Sequence, residues 1–265
     1  MIPTPHSDLT IGHGTHPGET GKNNEDRYGV QSFYGEAGES ITLGVIADGI
    51  GGNRAGEVAS DLAVQNILRA VSQSAGNDYP QILNQAVSQA AKAVNQAALS
   101  NADLKGMGTT CAVALIAGRR LFTAYVGDSR IYLARRGGIL QTSVDHTFVQ
   151  EAIETGLLTP AEAKTHPHRH VVRRHLGNDP NVRADFRVRL AADEPPEVSM
   201  RNQGVLLEPG CQVLVCSDGL SDLVEAGEIL QVLTALPPQK AVEELILLAR
   251  KRGGHDNITV IAMLV

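Results

Sequence analysis

The chain has 265 residues, 42% of them hydrophobic and 20% charged, enough to build a sizeable core and unlike a disordered composition. Lys and Arg number 23 against 29 Asp and Glu, a formal charge of −6, the wrong sign for gripping a phosphate backbone. Aromatic residues make up 3% with no Trp, so the stacking platforms of single-strand binders are missing and no nucleic-acid partner is expected.

Taken in chain order, the N-terminus (MIPTPHSDLTIGHGTHPG) is polar and rich in Gly and Pro, and does not read as a signal peptide. The pair Glu25-Asp26 then precedes a strand-like run, Arg27–Phe33, and a second apolar run covers Ile41–Ala47. From Ala55 to Val71, the apolar positions Ala55, Val58, Ala59, Leu62, Ala63, Ile67, Ala70 and Val71 fall on one helical face. A second Ala-rich helix is predicted from about Pro80 to Leu99. Strands follow at Thr109–Ala117, Leu121–Val126 and Arg130–Ala134, with hairpin signals at Ala117-Gly118-Arg119-Arg120 and Val126-Gly127-Asp128-Ser129. Gln212–Cys216 and Ile258–Val265 are further strands, and a third helix lies near Lys240–Arg250. Helices do not alternate strictly with strands, so the class is α+β with much antiparallel sheet.

The stretch 145–189 differs. It opens on a short amphipathic helix, Thr147–Gly156, and runs into THPHRHVVRRHLG. Lys164–Arg189 holds seven Lys and Arg against two acids, whereas Ala191–Leu230 holds eight acids and one Arg. Such segregation suggests a basic surface subdomain on the core. Cys111, Cys211 and Cys216 form no CxxC pair, and Cys111 and Cys216 sit in apolar runs, so they read as core packing in a reducing, cytoplasmic compartment. The longest apolar stretches, such as Cys111–Ala117, fall short of the ~20 residues of a membrane span, and no membrane partner is expected.

Three aspartates occupy strand ends. Asp48 closes ITLGVIA, Asp218 follows QVLVCS, and Asp256 precedes NITVIAMLV; Asp128 lies in the turn after Leu121–Val126. Any one alone reads as a turn residue or helix cap. Together they would repel at one sheet edge unless a cation stood between them. An all-oxygen cluster suits Mg²⁺ or Mn²⁺, whereas zinc would recruit imidazole or thiolate. The histidines His166, His168, His170 and His175 fit no standard zinc spacing.

Seven ordered segments then resemble the metal-dependent protein phosphatases of the type 2C class, in their bacterial form. They are Asn23–Asp26 (NNED), Val45–Gly52 (VIADGIGG), Gly106–Thr110 (GMGTT), Val126–Arg130 (VGDSR), Asp145–Thr147 (DHT), Cys216–Leu220 (CSDGL) and Gly253–Thr259 (GGHDNIT). The resemblance spans nearly the whole chain. It implies a single catalytic domain over 1–265, a four-layer α-β-β-α sandwich of two antiparallel sheets flanked by helices, with a flap subdomain at about 145–189. It also implies a two-cation centre in which Asp48 bridges both ions. Glu25 and the Gly49 carbonyl would complete one ligand set, and Asp218 and Asp256 the other. Asp128, with Asp218, would hold a third, weaker ion. Asp26 and Asn257 would bind water or substrate.

By the same resemblance, the reaction is hydrolysis of phosphoserine or phosphothreonine on proteins by a two-metal-activated water, opposing a Ser/Thr kinase. The chain would be a monomer. The family's phosphate-gripping Arg, four residues before the Glu ligand, is replaced by Gly21, with Lys22 beside it read either as a substitute or as a solvated loop lysine. The His that eukaryotic members carry after the metal-binding Asp-Gly is Ile50. Arg169, Arg173 and Arg174 of the flap are expected to attract acidic or phosphorylated partners, the alternative being a solvated face with some structural pairs. A non-catalytic pseudophosphatase that binds a kinase or phosphoprotein is the competing reading; the intact acids favour catalysis.

Overall fold

A computed structural model describes residues 1–51 and 55–265; Gly52, the last residue of the VIADGIGG segment, lies outside the described residues. Two antiparallel sheets lie face to face with helices on their outer faces, the four-layer arrangement expected. The first sheet orders six strands: Ile2–Thr4, Arg27–Tyr34, Ser40–Ala47, Cys111–Ala117, Arg120–Val126 and Val205–Leu206. The second orders five: Gly138–Gln141, Arg130–Arg135, Gln212–Cys216, Ile258–Leu264 and Thr10–His16. A short ribbon pairs Gly49–Ile50 with Gly108–Thr109.

Strand periodicity divides the core into three layers. Ile41, Leu43, Val45 and Ala47 face the helices Ala55–Ser72 and Tyr79–Ser100, whereas Ile46 faces the second sheet. Leu214 and Cys216 face the helices Ala226–Ala235 and Pro238–Lys251, whereas Val213 and Val215 face the first sheet. Each central strand is buried on both sides, which is why ITLGVIA and QVLVC read as unbroken apolar runs. Truncating a side chain such as Ile46 between the sheets would cost about 2–5 kcal/mol. The three cysteines are buried free thiols, one in each layer. Burial pushes the Cys111 and Cys216 thiols up to about 12, so they stay protonated and act as packing groups.

The expected hairpin at Val126–Ser129 does not form. Arg120–Val126 ends in the first sheet and Arg130–Arg135 begins in the second, so Gly127-Asp128-Ser129 carries the chain across the sandwich. Arg130–Arg135 pairs instead with Gln212–Cys216 and Gly138–Gln141. The Thr109–Ala117 run is split at Thr110, whose N–H donates to the Asp48 carbonyl at 2.9 Å. Thr10–His16, a Gly- and His-rich stretch with no apolar alternation, becomes an edge strand because it pairs along its length with Ile258–Leu264.

Residues 145–189 carry two short helices, Phe148–Glu154 and Pro160–Thr165. The second is closed by a capping box between Thr159 and Glu162. Isolated bridges tie this segment to the short ribbon (Thr109 to Leu176) and to the first sheet (Tyr125 to Asp185), and a third, Thr147 to Val172, closes the segment on itself. Among the described residues, no helix is long and apolar enough to cross a membrane.

Candidate metal centre

Strand register brings the acids together. Arg27 pairs with Ala47, so Asp26 and Asp48 step off adjacent strands at the same end. Cys216 pairs with both Arg130 and Val260, which sets Asp218 beside Asp128 on one side and near Asp256 on the other. Glu25, Asp48, Asp128, Asp218 and Asp256 all line one cleft of about 840 Å³. Gly219 makes the close approach possible: a Cβ there would lie 2.0 Å from the Asn257 carbonyl oxygen. The two loops bearing Asp218 and Asp256 therefore nest backbone to backbone.

Beneath the acids, hydroxyls span the two sheets. Asp26 is 1% exposed, and its Oδ2 accepts from Ser217 Oγ at 2.8 Å and Thr259 Oγ1 at 2.6 Å. Thr110 Oγ1 meets Ser129 Oγ at 2.7 Å and accepts the Asp48 N–H at 3.0 Å. Burial pushes Asp26 up to about 6 despite those bonds. It pushes Asp128 up to about 7, aided by Asp145 and opposed by Arg130. Asp48 and Asp218 are held well above the carboxylate range, by burial first and then by the neighbouring aspartates. Glu25 is raised by burial and by Asp256 and Glu57, with Lys22 opposing.

Such repulsion asks for positive charge in the cleft. Asp26 Oδ1 and Asp218 Oδ1 are buried and have no hydrogen-bond partner within the protein. Two orphaned carboxylate oxygens beside a cleft of repelling acids fit a hard divalent cation. Among the described residues, no three Asp, Glu, His or Cys side chains already close on one point. A cation held by one or two carboxylates and its own waters, as Mg²⁺ prefers, needs no closed protein cage.

The other expected site residues separate. Asn257 lines the cleft, but its side chain is fully engaged with backbone: Oδ1 accepts the Glu25 N–H at 2.7 Å, and Nδ2 donates to the Pro17 and Asn23 carbonyls at 3.0 and 3.2 Å. Lys22 is exposed on the cleft wall. Arg169 and Arg173 are exposed, Arg173 beside Glu151 at 3.4 Å. Arg174 is turned inward, its Nη1 2.9 Å from His146 Nε2 and its Nη2 donating to the Arg183 carbonyl, so it is not displayed to a partner as Arg169 and Arg173 are. The histidines also scatter: His170 and His175 line the cleft, while His166 and His168 cluster with Phe148.

Sequence reasoning missed Asp222, which lines the cleft opposite His170 at 3.0 Å, and the hydroxyls of Thr110, Ser129, Ser217 and Thr259. The signal was available for the hydroxyls, since each sits in one of the seven motifs. It was weaker for Asp222, one helical turn beyond Asp218.

The protein phosphatase 2C family profile matches residues 13–245. The serine/threonine protein phosphatase PstP of Mycobacterium tuberculosis is 37% identical over 239 residues, covering 90% of this chain and 41% of PstP. The chain thus spans well under half of that relative's length. Protein phosphatase PhpP of Streptococcus pneumoniae is 32% identical over 258 residues, covering 93% of each chain. The crystal structure of the PstP catalytic domain with two manganese ions superposes with a TM-score of 0.77 at 33% identity, covering 97% of each chain. With the acids gathered by strand register in a sandwich of the same build, the chain belongs to the protein phosphatase 2C family.

Proposed function

We propose that the chain hydrolyses phosphoserine and phosphothreonine on proteins with divalent cations, Mn²⁺ or Mg²⁺. The carrying observation is the pair of orphaned, buried carboxylate oxygens on Asp26 and Asp218 beside Glu25, Asp48 and Asp256. Asp48 would be shared by two ions, with Glu25 and the Gly49 carbonyl on one side and Asp218 and Asp256 on the other. Asp128, with Asp218, would hold a third. When bound, such ions lower the pKa of a shared water and offset charge on the phosphoryl oxygens.

The chain's own residues do the rest. Asp26, anchored through Oδ2 by Ser217 and Thr259, presents Oδ1 to orient a water. Asn257 is a positioning residue, because its amide holds the backbone of Glu25 rather than a substrate. Lys22 supplies one positive charge at the cleft mouth where a phosphate would enter. No side-chain nucleophile is needed, in keeping with thiols that are all buried in the core layers. Arg169 and Arg173 are left as the flap cations that can meet an acidic or phosphorylated partner.

The name of PstP supports this substrate class, that of PhpP supports a protein substrate, and the two manganese ions of the PstP catalytic domain support the cation count. We further infer a single catalytic unit with the 145–189 flap, monomeric and cytoplasmic, opposing a Ser/Thr kinase in signalling; the three unpaired thiols support the compartment. The test is hydrolysis of p-nitrophenyl phosphate and of a phosphothreonine peptide, in EDTA and in Mn²⁺, by the wild type and Asp48→Ala. Activity only with the cation, lost in Asp48→Ala, is expected. Activity in EDTA, or an active Asp48→Ala protein, overturns the proposal.

A further inference from the structure

The Asp145-His146-Thr147 motif supplies none of the proposed ligands, yet it is built around one of them. His146 is 4% exposed and grips Gly127 twice: the Gly127 N–H donates to His146 Nδ1 at 3.0 Å, and the His146 N–H donates to the Gly127 carbonyl at 3.0 Å. Gly127 immediately precedes Asp128. On the other side of Asp128, Arg130 is held by Asp145 through Nε at 3.0 Å and Nη2 at 2.7 Å. The turn that carries Asp128 across the sandwich is therefore clasped at both ends by one dipeptide.

The same motif is fastened to the flap. Nδ1 accepts from Gly127, and Nε2 faces two flap residues at once, Asp185 Oδ2 at 3.2 Å and Arg174 Nη1 at 2.9 Å. Burial above all, opposed by the Asp185 bond and aided by the Arg174 charge, holds the His146 pKa below its ordinary value. Asp185 is itself fixed by Arg187 through Nε at 2.8 Å and Nη2 at 2.7 Å. The His146 carbonyl accepts the Arg173 N–H at 2.7 Å, and Thr147 bridges Val172, a residue of the cleft wall. Tyr125 stacks on the imidazole with ring centroids 5.5 Å apart.

We propose that His146 is a positioning residue that joins the flap to the Asp128 turn, so that flap order and cation affinity at Asp128 and Asp218 rise and fall together. This rests on the metal-centre reading above. The two ends of the link are thermodynamically reciprocal: an ion that favours one placement of Asp128 favours the flap placement that goes with it, and the converse. Asp185 lies on the flap side of His146 and belongs to no proposed ligand set, so it reports the coupling without touching the cleft acids.

The experiment is calorimetric titration of Mn²⁺ into the metal-stripped wild type, His146→Ala and Asp185→Asn. Amide hydrogen exchange over residues 147–176, with and without Mn²⁺, accompanies it. Asp185→Asn is nearly isosteric, and a thermal melt checks that it folds. Both variants are expected to weaken the weakest Mn²⁺ site about tenfold while the tighter sites keep their affinity. In the wild type, Mn²⁺ should slow flap exchange, and in both variants that slowing should shrink. A folded Asp185→Asn with wild-type Mn²⁺ affinities, or a wild-type flap whose exchange ignores Mn²⁺, overturns the coupling. A wild type that binds no Mn²⁺ overturns the metal-centre reading and this inference with it.

Discussion

Replacing Asn257 with Ala separates a positioning role from a catalytic one. The side chain is 7% exposed and makes three hydrogen bonds to backbone, to the Glu25 N–H and the Pro17 and Asn23 carbonyls. Each such bond contributes about 0.5–1.5 kcal/mol net, and stranding buried backbone partners adds to the loss. The expected destabilisation is therefore about 2–4 kcal/mol. At ~2–4 °C per kcal/mol for a chain of this size, the melting temperature should fall by roughly 4–16 °C. Glu25 would also lose its fixed backbone, so Mn²⁺ affinity should drop while kcat recovers at high Mn²⁺. Urea unfolding in EDTA, Mn²⁺ titration, and kcat at saturating Mn²⁺ give the three readouts. An Asn257→Ala protein within ~0.5 kcal/mol of wild-type stability, with normal Mn²⁺ affinity but collapsed kcat, would refute the reasoning and put the amide on the substrate.

Further perturbations test other parts of the site. Asp26 and Asp128 are raised to about 6 and about 7 in the folded chain, so in EDTA their contribution to stability is full below the ordinary carboxylate range and is lost as pH rises through 6–7. Bound cations remove that loss, and protons compete with them. The melting-temperature gain from Mn²⁺ over EDTA should be larger at pH 8 than at pH 6, and a gain independent of pH would contradict the acid cluster as its origin. Gly21 has φ +74° with open space where a Cβ would stand, so Gly21→Arg should cost only the left-handed backbone strain, about 1–2 kcal/mol by urea unfolding. Lys22→Ala should raise KM for a phosphopeptide; an unchanged KM removes Lys22 from phosphate binding. Arg173→Glu should lower turnover of a phosphoprotein more than that of an aryl phosphate at unchanged stability, whereas Arg174→Glu, beside buried His146, should lower the melting temperature. Equal losses on both substrates for Arg173→Glu would discard electrostatic steering.

What the sequence carries about this fold is what local patterns can carry. The helices at Ala55–Ser72, Tyr79–Ser100 and Pro238–Lys251 follow from apolar stripes, and the central strands from short β-branched runs. The acids could be read as strand-end groups because each follows or precedes such a run. Pairing is not local. Nothing in VGDSR says that its Gly and Asp leave one sheet for the other, since Val-Gly-Asp-Ser has the chemistry of a hairpin turn and only His146 and the Gln212–Cys216 strand decide otherwise. Arg174 and Arg173 are likewise identical neighbours in sequence, and only packing shows that one is held against His146 while the other stands in solvent. Asn257 could be placed at the site but not given its role, because an amide that holds a loop and an amide that touches a substrate are spelled the same way.

The charge of the chain acquires a location. Glu25, Asp48, Asp128, Asp218, Asp222 and Asp256 line the cleft, and the remaining 23 of the 29 acids equal the 23 Lys and Arg. With Lys22 on the same wall the cleft carries a formal −5, nearly all of the chain's −6, and the rest of the chain is close to balanced. A net field from such a protein arises at the site and at the segregated 145–189 segment, not from the surface at large. Two divalent cations in the cleft would cancel four of those charges, leaving a phosphate ester to face a cleft near neutrality and a basic flap beside it. An anionic substrate should then be repelled by the metal-free chain and admitted by the loaded one. The expected signature is competitive inhibition by inorganic phosphate that strengthens with Mn²⁺ occupancy and weakens with salt. Phosphate that binds the EDTA-treated protein as tightly as the loaded one would remove the cleft's charge from the account of how substrate enters.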